Sequence, residues 1–311
     1  MSNWQVEPVI FRYQLGDWVL FSASLNMQTC RYRIFDQGDP VDSPPLPTIA
    51  PAKDSDGYAI RNVHIKKELP VLSCAEHYIR YVPLQYLHCY MDLNWPYERY
   101  IGKFSAKTRA TIQRKIRKFG DHCGGHISWK AYTRPEELDE FFSLARTVSK
   151  LTYQERLLNV GLPDSEDFRQ MANLLAVENR LRAFVLFDAS RHPIAYLYCP
   201  ERDGVLVYAY LGYDPGYHKL SVGTVLQWLA TEYIYKENKF LYFDFTEGKS
   251  AHKELFATHQ RLCANVYFIK RTPQNWLLVK THVLMDQLSH WFGSALARYG
   301  LKAKVKQLLR S

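Results

Sequence analysis

The stretch that decides the fold is VLVYAYLGYDPGYHKLSVGTVLQWLATEYIYKENKFLYFDF, residues 205–245. Its first nine residues are almost continuously apolar and rich in β-branched and aromatic side chains, which predicts a central strand buried on both faces. Apolar residues then recur at helical spacing over residues 222–234, which predicts a helix with one buried face. Residues 240–245 predict a second buried strand, with Asp244 and Tyr242 on the same side. This order predicts a parallel crossover unit.

The loop between the first strand and the helix, YDPGYHKLSVGT over residues 213–224, is the part of this unit that carries chemistry. A helix N-terminus that follows a strand offers unpaired backbone N–H groups and a positive dipole end, which suit a phosphate group. Ser221 is the predicted N-cap, Gly223 lets a ligand approach the backbone closely, and His218 and Lys219 add cationic donors. The alternative is an ordinary connection with a good cap, because short glycine-containing motifs have low specificity.

Upstream of the crossover unit the pattern is also regular. Residues 127–132 predict a strand, and Pro135 opens a helix with a buried apolar stripe. A second helix is predicted over residues 166–179. Its predicted inward residues are Phe168, Met171, Leu174 and Leu175. The apolar segments 181–188 and 193–200 are joined by short polar turns, so they predict an antiparallel meander that ends in the central strand.

Residues 1–96 predict a β-rich N-terminal domain, with strand-like runs at residues 6–13, 18–24 and 30–35. Residues 38–58 are rich in proline and have no periodicity, which predicts a loop inside this domain.

A basic connecting helix is predicted within residues 97–125, with Ser105 as its N-cap and with Arg109 and Arg114 on its cationic face. The functional interpretation of this face is a surface for a phosphorylated or polyanionic acceptor, or for RNA. The alternative is a solvated charged face, which is what most charge runs are. The following cluster DHCGGH, residues 121–126, has no remote partner ligands and predicts a turn, so we expect no metal site.

Composition narrows the class of partner. The chain has 311 residues, of which 47% are hydrophobic, enough for a large core and two domains. A net charge of +9 favours anionic partners such as a nucleotide cofactor, a nucleotide sugar, RNA or a membrane surface. We find no apolar run long enough to cross a membrane and no secretory signal. The six cysteines have no paired spacing, which favours a reducing compartment, and we predict a cytoplasmic protein.

Residues 274–311 predict C-terminal amphipathic helices with a basic end. The apolar stripe of the first helix contains Trp276, Val279, Val283, Leu284, Leu288 and Trp291. One interpretation is packing across the domain interface, the usual role of an amphipathic helix. The other is docking on an anionic membrane surface, because basic amphipathic ends bind anionic lipid.

The whole order of elements resembles the GNAT acyltransferase fold, and most closely its Fem-like branch, which includes acetyltransferases associated with cellulose and other polysaccharide synthesis. Three passages carry the resemblance: FSAKTRATIQRKIRKF at 104–119, YDPGYHKLSVGTVLQWLATEYI at 213–234 and FLYFDFTEGKSAHKELFATHQRL at 240–262. One departure is the pyrophosphate motif, which here reads HKLSVGT, with a single glycine and no leading Gln or Arg.

The resemblance implies an α+β fold whose sheet is mixed, mostly antiparallel and covered by helices on both faces. It places the GNAT-like acyltransferase domain at residues 126–273. Residues 1–96 are then a β-rich domain or a degenerate second GNAT-like unit.

The resemblance also implies an activity, the transfer of an acyl group from acyl-CoA, with acetyl-CoA as the expected donor, to an amine or hydroxyl. The expected acceptor is a small molecule or a saccharide precursor. In this fold the central and following parallel strands splay apart and pantetheine enters between them. The cofactor-binding residues implied are Leu211, Gly212, Tyr213, His218, Lys219, Ser221, Val222, Gly223 and Thr224.

For catalysis we expect Glu247 or Asp244 as general base, at the carboxyl end of the parallel strand, with His252 as a third candidate. Tyr208 is the candidate for protonating the departing thiolate. Lys253, together with Arg109 and Arg114, is expected to hold an anionic acceptor or a cofactor phosphate.

Each of these assignments has an alternative. Asp244 is alternatively a structural carboxylate, His252 a surface residue and Tyr208 a packing residue. Two rival functions also remain: a Fem-like aminoacyltransferase that uses charged tRNA, and a non-catalytic GNAT-like binding module.

Overall fold

The computed structural model describes residues 4–16, 18–33, 38–152, 161–248 and 250–298. Backbone contacts divide the chain into two units, one formed by residues 1–87 with 261–311 and one formed by residues 88–260. This division differs from the predicted boundaries at residues 96, 125 and 273. The C-terminal residues group with the N-terminal ones, and the basic helical stretch lies inside the second unit.

The strands within the described residues are β1 Gln5–Leu15, β2 Trp18–Arg31, β3 Gly57–His64, β4 Leu72–Ala75, β5 Tyr78–Asp92, β6 Trp129–Tyr132, β7 Leu181–Phe187, β8 Pro193–Arg202, β9 Val205–Val207, β10 Tyr210–Tyr213, β11 Tyr242–Asp244 and β12 His259–Lys270. The helices are α1 Tyr97–Gly102, α2 Ala106–His122, α3 Leu138–Ser149, α4 Glu166–Val177, α5 Val222–Glu237, α6 Ala251–Phe256 and α7 Pro273–Arg298. Short 3₁₀ turns at Pro135–Glu137 and Pro215–Leu220 precede α3 and α5.

The first unit is a β-sheet with α7 packed against it. β1 pairs antiparallel with β2, β2 pairs parallel with β3, and β3 pairs antiparallel with β12. The predicted strands at 6–13 and 18–24 are confirmed as β1 and β2. β2 continues to Arg31, so the predicted third run at 30–35 is not a separate strand in its described part. Alternating burial along β1 places Val9, Phe11 and Tyr13 in the core.

The second unit is built on a mixed sheet. From the end of β5 the order is β5, β11, β9, β8, β7, β6, and β10 pairs separately with β8. Only the β9–β11 pair in this unit is parallel; the other described pairs are antiparallel. The predicted α+β class, the meander of β7, β8 and the following strand, and the parallel crossover through α5 are therefore confirmed.

Helices cover both faces of this sheet because successive side chains of β7 point to opposite sides. Phe184 and Leu186 pack in a core with residues of α2 and α5, while Ala183 and Val185 pack in a second core with residues of α3 and α4. The predicted buried stripe of α3 is confirmed. Its buried members are Leu138, Phe141, Phe142, Ala145 and Val148.

Two predictions about helices needed correction. In α4, Met171 and Leu174 were expected to face inward, but they are 56% and 60% exposed. Ala172 and Ala176 are the buried residues, while Phe168 and Leu175, also expected to face inward, are partly buried against the same core. The predicted basic helix is two helices, α1 and α2. Ser105 lies between them and accepts a hydrogen bond from the Thr108 N–H (3.1 Å), which confirms it as the N-cap of α2.

The central strand is broken. The predicted continuous strand at 205–213 is two short strands, β9 and β10, separated by Tyr208 and Ala209. The second half is not buried on both faces, because Leu211 and Tyr213 are 40% and 43% exposed. The predicted strand at 240–245 is likewise shortened to β11.

Candidate functional site

The two parallel strands at the centre of the second unit separate after three paired residues. β9 and β11 pair from Val205 with Tyr242 to Val207 with Asp244, and the Tyr208 N–H donates to the Asp244 carbonyl at 2.9 Å. Beyond that point β10 pairs with β8 alone among the described strands. The strands therefore diverge at Tyr208, and one edge of β10 is left open.

The register of β10 shows which backbone groups face the open edge. The Asp214 N–H donates to the Ile194 carbonyl at 2.8 Å, which marks this pair as hydrogen-bonded. Hydrogen-bonded and non-hydrogen-bonded positions alternate along an antiparallel pair. The N–H of Gly212 is therefore directed toward β8, while the N–H groups of Leu211 and Tyr213 are directed toward the open edge.

Gly212 has a packing reason to be glycine. A Cβ at this position would lie 2.6 Å from Cε1 of Tyr196 and 2.8 Å from Cγ2 of Thr152, closer than real side chains approach each other. The absent side chain thus lets β10 pack against β8. Both the N–H and the carbonyl of Gly212 are directed toward β8, so Gly212 contributes to the expected cofactor site through its missing side chain and not through a backbone hydrogen bond.

Helix α5 begins beside this edge with an unusual cap. Ser221 is confirmed as the N-cap residue, but it has the left-handed conformation (φ 55°, ψ 37°) and its side chain makes no capping hydrogen bond. Its carbonyl accepts the N–H groups of Thr224 (2.8 Å) and Val225 (3.1 Å). Thr224, expected on the pyrophosphate, therefore has its amide already bonded.

One amide at this helix start remains accessible to a ligand. Within the described residues, the N–H groups of Val222 and Gly223 have no hydrogen-bond partner, but Val222 is fully buried and only Gly223 is partly exposed. Gly223 also leaves space: a Cβ there would meet only Cδ1 of Tyr213, at 3.7 Å. The free amide of the helix start therefore lies next to the open edge of β10, because Tyr213 is part of β10 and its side chain reaches the Gly223 position.

Cationic groups surround the loop before α5. His218 and Lys219 are exposed, as their predicted role requires. The Nδ1 of His218 donates to the Pro215 carbonyl (3.1 Å), and the Nζ of Lys118 on α2 donates to the Lys219 carbonyl (3.1 Å). The basic helix therefore contacts the loop directly.

Arg109 and Arg114, expected to act together, lie on different sides of α2. Five residues of helix place them about 140° apart. Arg114 lines a surface depression together with Lys107, Arg117 and Lys118, and Arg109 is outside it.

Asp244, a candidate base, is held by a buried histidine. The Nε2 of His88 on β5 donates to Oδ1 of Asp244 at 2.5 Å, and the Thr246 N–H donates to the same oxygen at 2.7 Å. The His88 side chain is only 4% exposed. These contacts favour the structural interpretation of Asp244. Sequence reasoning missed His88, and the available signal was a histidine inside the apolar strand segment YLHCYM.

Tyr208 and His252 meet where the strands diverge. The Tyr208 hydroxyl lies 3.3 Å from Nε2 of His252. Burial, followed by the nearby Cys199, raises the pKa of Tyr208, so the hydroxyl keeps its proton and donates to the imidazole. Burial, followed by the charges of Lys115 and Lys253, lowers the pKa of His252 to about 4. His252 is therefore a neutral, half-buried imidazole and not the surface residue of the alternative interpretation.

Lys253 is directed into the loop that carries Glu247. Its Nζ donates to the Glu247 carbonyl at 2.7 Å, and burial lowers its pKa. Thr246 (φ 61°) and Gly248 (φ 100°) give this loop a left-handed backbone. The hydrogen bond from Lys253 helps to hold the loop in that conformation. The described contact of Lys253 therefore positions this loop, and its predicted contact with an anionic acceptor or a cofactor phosphate stays a prediction. Glu247 itself is half-buried.

A family comparison agrees with this geometry. Residues 106–254, slightly less than half of the chain, match the family model described as Acetyltransferase (GNAT) domain. These residues form a GNAT acyltransferase-type domain, and the expected GNAT recognition is confirmed. A comparison with curated proteins finds no match.

Several solved structures are similar at low identity. L-PGS from Bacillus licheniformis is 14% identical, with a TM-score of 0.46 and 72% of each chain covered. The C-terminal domain of a putative lysylphosphatidylglycerol synthetase from Agrobacterium fabrum is 10% identical, with a TM-score of 0.48, covering 77% of this chain and 72% of that one. FemX is 10% identical, with a TM-score of 0.46 and coverages of 73% and 75%. Identities this low do not transfer a substrate to this chain.

Proposed function

We propose that this chain is an acyl-CoA-dependent acyltransferase that moves an acyl group, with acetyl as the first candidate, to an amine or hydroxyl of a small-molecule or saccharide-precursor acceptor. The observation that supports the proposal is the adjacency of two kinds of backbone N–H group. Leu211 and Tyr213 present theirs at an open strand edge, and Gly223 presents its N–H at a helix start. Tyr213 contacts the Gly223 position, so these groups form one continuous surface.

These groups fit the parts of an acyl-CoA. An open strand edge offers donors and acceptors to the amide groups of a pantetheine arm, as in β-strand addition. Free amides at a helix start suit a diphosphate, and the dipole adds favourable potential. Lys219 supplies positive charge at the same end of the surface, and His218 lies beside it. The protein thus offers a polar edge for the arm and a cationic end for the phosphates.

Transfer requires a proton acceptor for the nucleophile and a proton donor for the leaving sulfur. We assign these roles to Tyr208 and His252, which meet at the point where the strand edge opens. The hydroxyl of Tyr208 is protonated, and the imidazole of His252 is unprotonated at neutral pH. A base with so low a pKa is weak, so Glu247, on the neighbouring loop, is retained as the alternative acceptor of the nucleophile's proton.

A thermal-shift panel of acetyl-CoA, longer acyl-CoAs and free CoA tests the donor. A ligand that binds only the folded chain raises its melting temperature in proportion to the logarithm of ligand concentration over Kd. We expect a rise with CoA and a larger rise with the preferred acyl-CoA. If no CoA species changes the melting temperature, the proposal is wrong.

The cationic face of α2 favours one rival, the aminoacyltransferase that uses charged tRNA. Arg114, Arg117 and Lys118 are exposed side by side, an arrangement that suits phosphate contacts. Binding of tRNA that falls steeply with salt, without any CoA binding, would select this rival. CoA binding with no turnover over an acceptor panel would instead indicate a non-catalytic module.

A further inference from the structure

Helix α7 has two separate apolar faces, and only one of them is covered. Val279 is buried against the first unit, with Trp276 and Val283 partly buried beside it. The hydroxyl of Tyr13 on β1 donates to the Leu278 carbonyl at 2.8 Å, and His282 lies 2.6 Å from the Tyr81 hydroxyl. The predicted stripe thus contains the packed face of this helix.

The remaining members of the predicted stripe are exposed and form their own face. Together with Leu277 they lie within an arc of about 60° around the helix and extend over about 21 Å. These four residues, the α7 stripe, are exposed by between 45% and 70%: Leu277, Leu284, Leu288 and Trp291. No described residue covers them, although an amphipathic helix normally buries its apolar side.

A second exposed apolar group lies beside the α7 stripe. The ring of Phe21, more than half exposed, stacks on Tyr13 with centroids 4.2 Å apart. The Tyr13 hydroxyl is 3.2 Å from Oγ1 of Thr281, which lies on the same side of α7 as the stripe. The neighbouring Val19 and Leu20 are also exposed. These three residues, the hairpin tip, extend the apolar surface beside the α7 stripe.

The C-terminal sequence that contains the α7 stripe is strongly positive. Residues 273–311 contain six basic residues and one acidic residue: Lys280, Arg298, Lys302, Lys304, Lys306, Arg310 and Asp286. Asp286 is nine residues from Leu277, so it lies on the opposite side of the helix from the stripe. Its carboxylate is 3.6 Å from His282, on the packed side. The acidic group is therefore turned away from the exposed apolar face.

From this combination we propose that the α7 stripe and the hairpin tip dock on the surface of an anionic lipid bilayer. Apolar side chains in such a surface enter the boundary of the acyl chains, and a tryptophan suits the headgroup level. The Lys and Arg residues of the C-terminal sequence add attraction to an anionic leaflet. The chain would lie on the membrane, because no helix among the described residues is long and apolar enough to cross it.

A second copy of the chain is a less suitable occupant. A two-fold interface brings the same surface of both copies together, which here would also bring two copies of the same basic C-terminal sequence together. An anionic leaflet carries the opposite charge to the basic C-terminal sequence. It also requires no complementary shape, which suits a convex helix face without a groove.

Sedimentation with lipid vesicles tests the proposal on the full chain. We expect the protein to pellet with phosphatidylcholine vesicles that contain phosphatidylglycerol, to remain in solution with pure phosphatidylcholine, and to be released by high salt. The double variant Leu284→Gln and Leu288→Gln should weaken partition roughly tenfold or more. The control Leu174→Gln changes an equally exposed leucine on α4 and should partition as the wild type does.

Three outcomes would overturn the proposal: a wild-type chain that stays in solution with both vesicles, a double variant that pellets like wild type, or a control that loses as much binding. Unchanged melting temperatures show that the variants fold. If the wild type is a dimer in solution, ignores vesicles and becomes monomeric in the double variant, the stripe belongs to a second copy.

Discussion

Replacing Gly223 by alanine separates the proposed phosphate site from the stability of the fold. The new methyl group would meet only Cδ1 of Tyr213, at 3.7 Å, an ordinary van der Waals distance. Alanine is also the better helix former, by up to about 1 kcal/mol in a helix interior. The variant should therefore melt at the wild-type temperature or slightly higher.

The ligand should respond in the opposite direction. Side chains in a helix lean toward its N-terminus, so the methyl group would lie in front of the free amide at the helix start. Losing one hydrogen bond between an amide and a charged phosphate costs about 1.5–3 kcal/mol. That corresponds to a Kd for acetyl-CoA and for CoA raised roughly 10- to 150-fold.

Titration calorimetry with both ligands measures this effect, and Gly120→Ala is the matched control. Gly120 lies in α2, where an added Cβ would find its nearest neighbour at the same distance, 3.7 Å from Ile127. The control should bind like wild type. If Gly223→Ala binds acetyl-CoA within about twofold of wild type while keeping its melting temperature, the start of α5 does not hold the diphosphate.

Three further predictions concern the rest of the site. Glu247→Gln should lower turnover far more than CoA affinity; steady-state kinetics in which both it and Asp244→Asn stay within a few-fold of wild type would exclude a carboxylate base. His252 has a pKa of about 4 against an ordinary 6.5, so its contribution to stability is complete above pH 6.5 and is lost as the pH falls toward 4. Urea unfolding across that range should show the loss, and His252→Gln should reduce its slope. Gly212→Ala should destabilise the fold by about 1–3 kcal/mol through collision with Tyr196, and an unchanged unfolding midpoint would contradict this packing role.

Local patterns predicted most of the second unit. The stripe of α3, the meander through β7 and β8, and the strand–helix–strand crossover around α5 are all set by periodicity and short turns, which are local properties of the sequence. The fold class followed because those elements have few compatible arrangements.

Helix rotation was harder to predict. In α4 the large apolar residues Met171 and Leu174 match a buried stripe, yet Ala172 and Ala176 face the core, because small residues let the helix approach its neighbours closely. A helix with apolar residues on two sides has two candidate buried faces. Only the surface it packs against decides between them, and that surface comes from distant parts of the chain. The same ambiguity merged the two faces of α7 into one predicted stripe.

Long-range contacts in the site could not be predicted from the sequence either. His88 and Asp244 are 156 positions apart, and neither periodicity nor spacing connects them. Asp244 therefore looked like a base at the end of a strand, although the fold supplies it with a buried imidazole donor. The left-handed Ser221 escaped prediction for a related reason, because serine at a helix start ordinarily indicates a side-chain cap.

The break between β9 and β10 links these observations. If the strand had continued straight through Tyr208 and Ala209, β10 would pair along β11 and its outward amides would be consumed in the ladder. The break ends that pairing, directs the N–H groups of Leu211 and Tyr213 to an open edge, and leaves the Tyr208 hydroxyl beside His252. One change of backbone direction thus creates both the proposed donor surface and the proposed proton-transfer pair, so a variant that restored the ladder would be expected to lose ligand binding and turnover together.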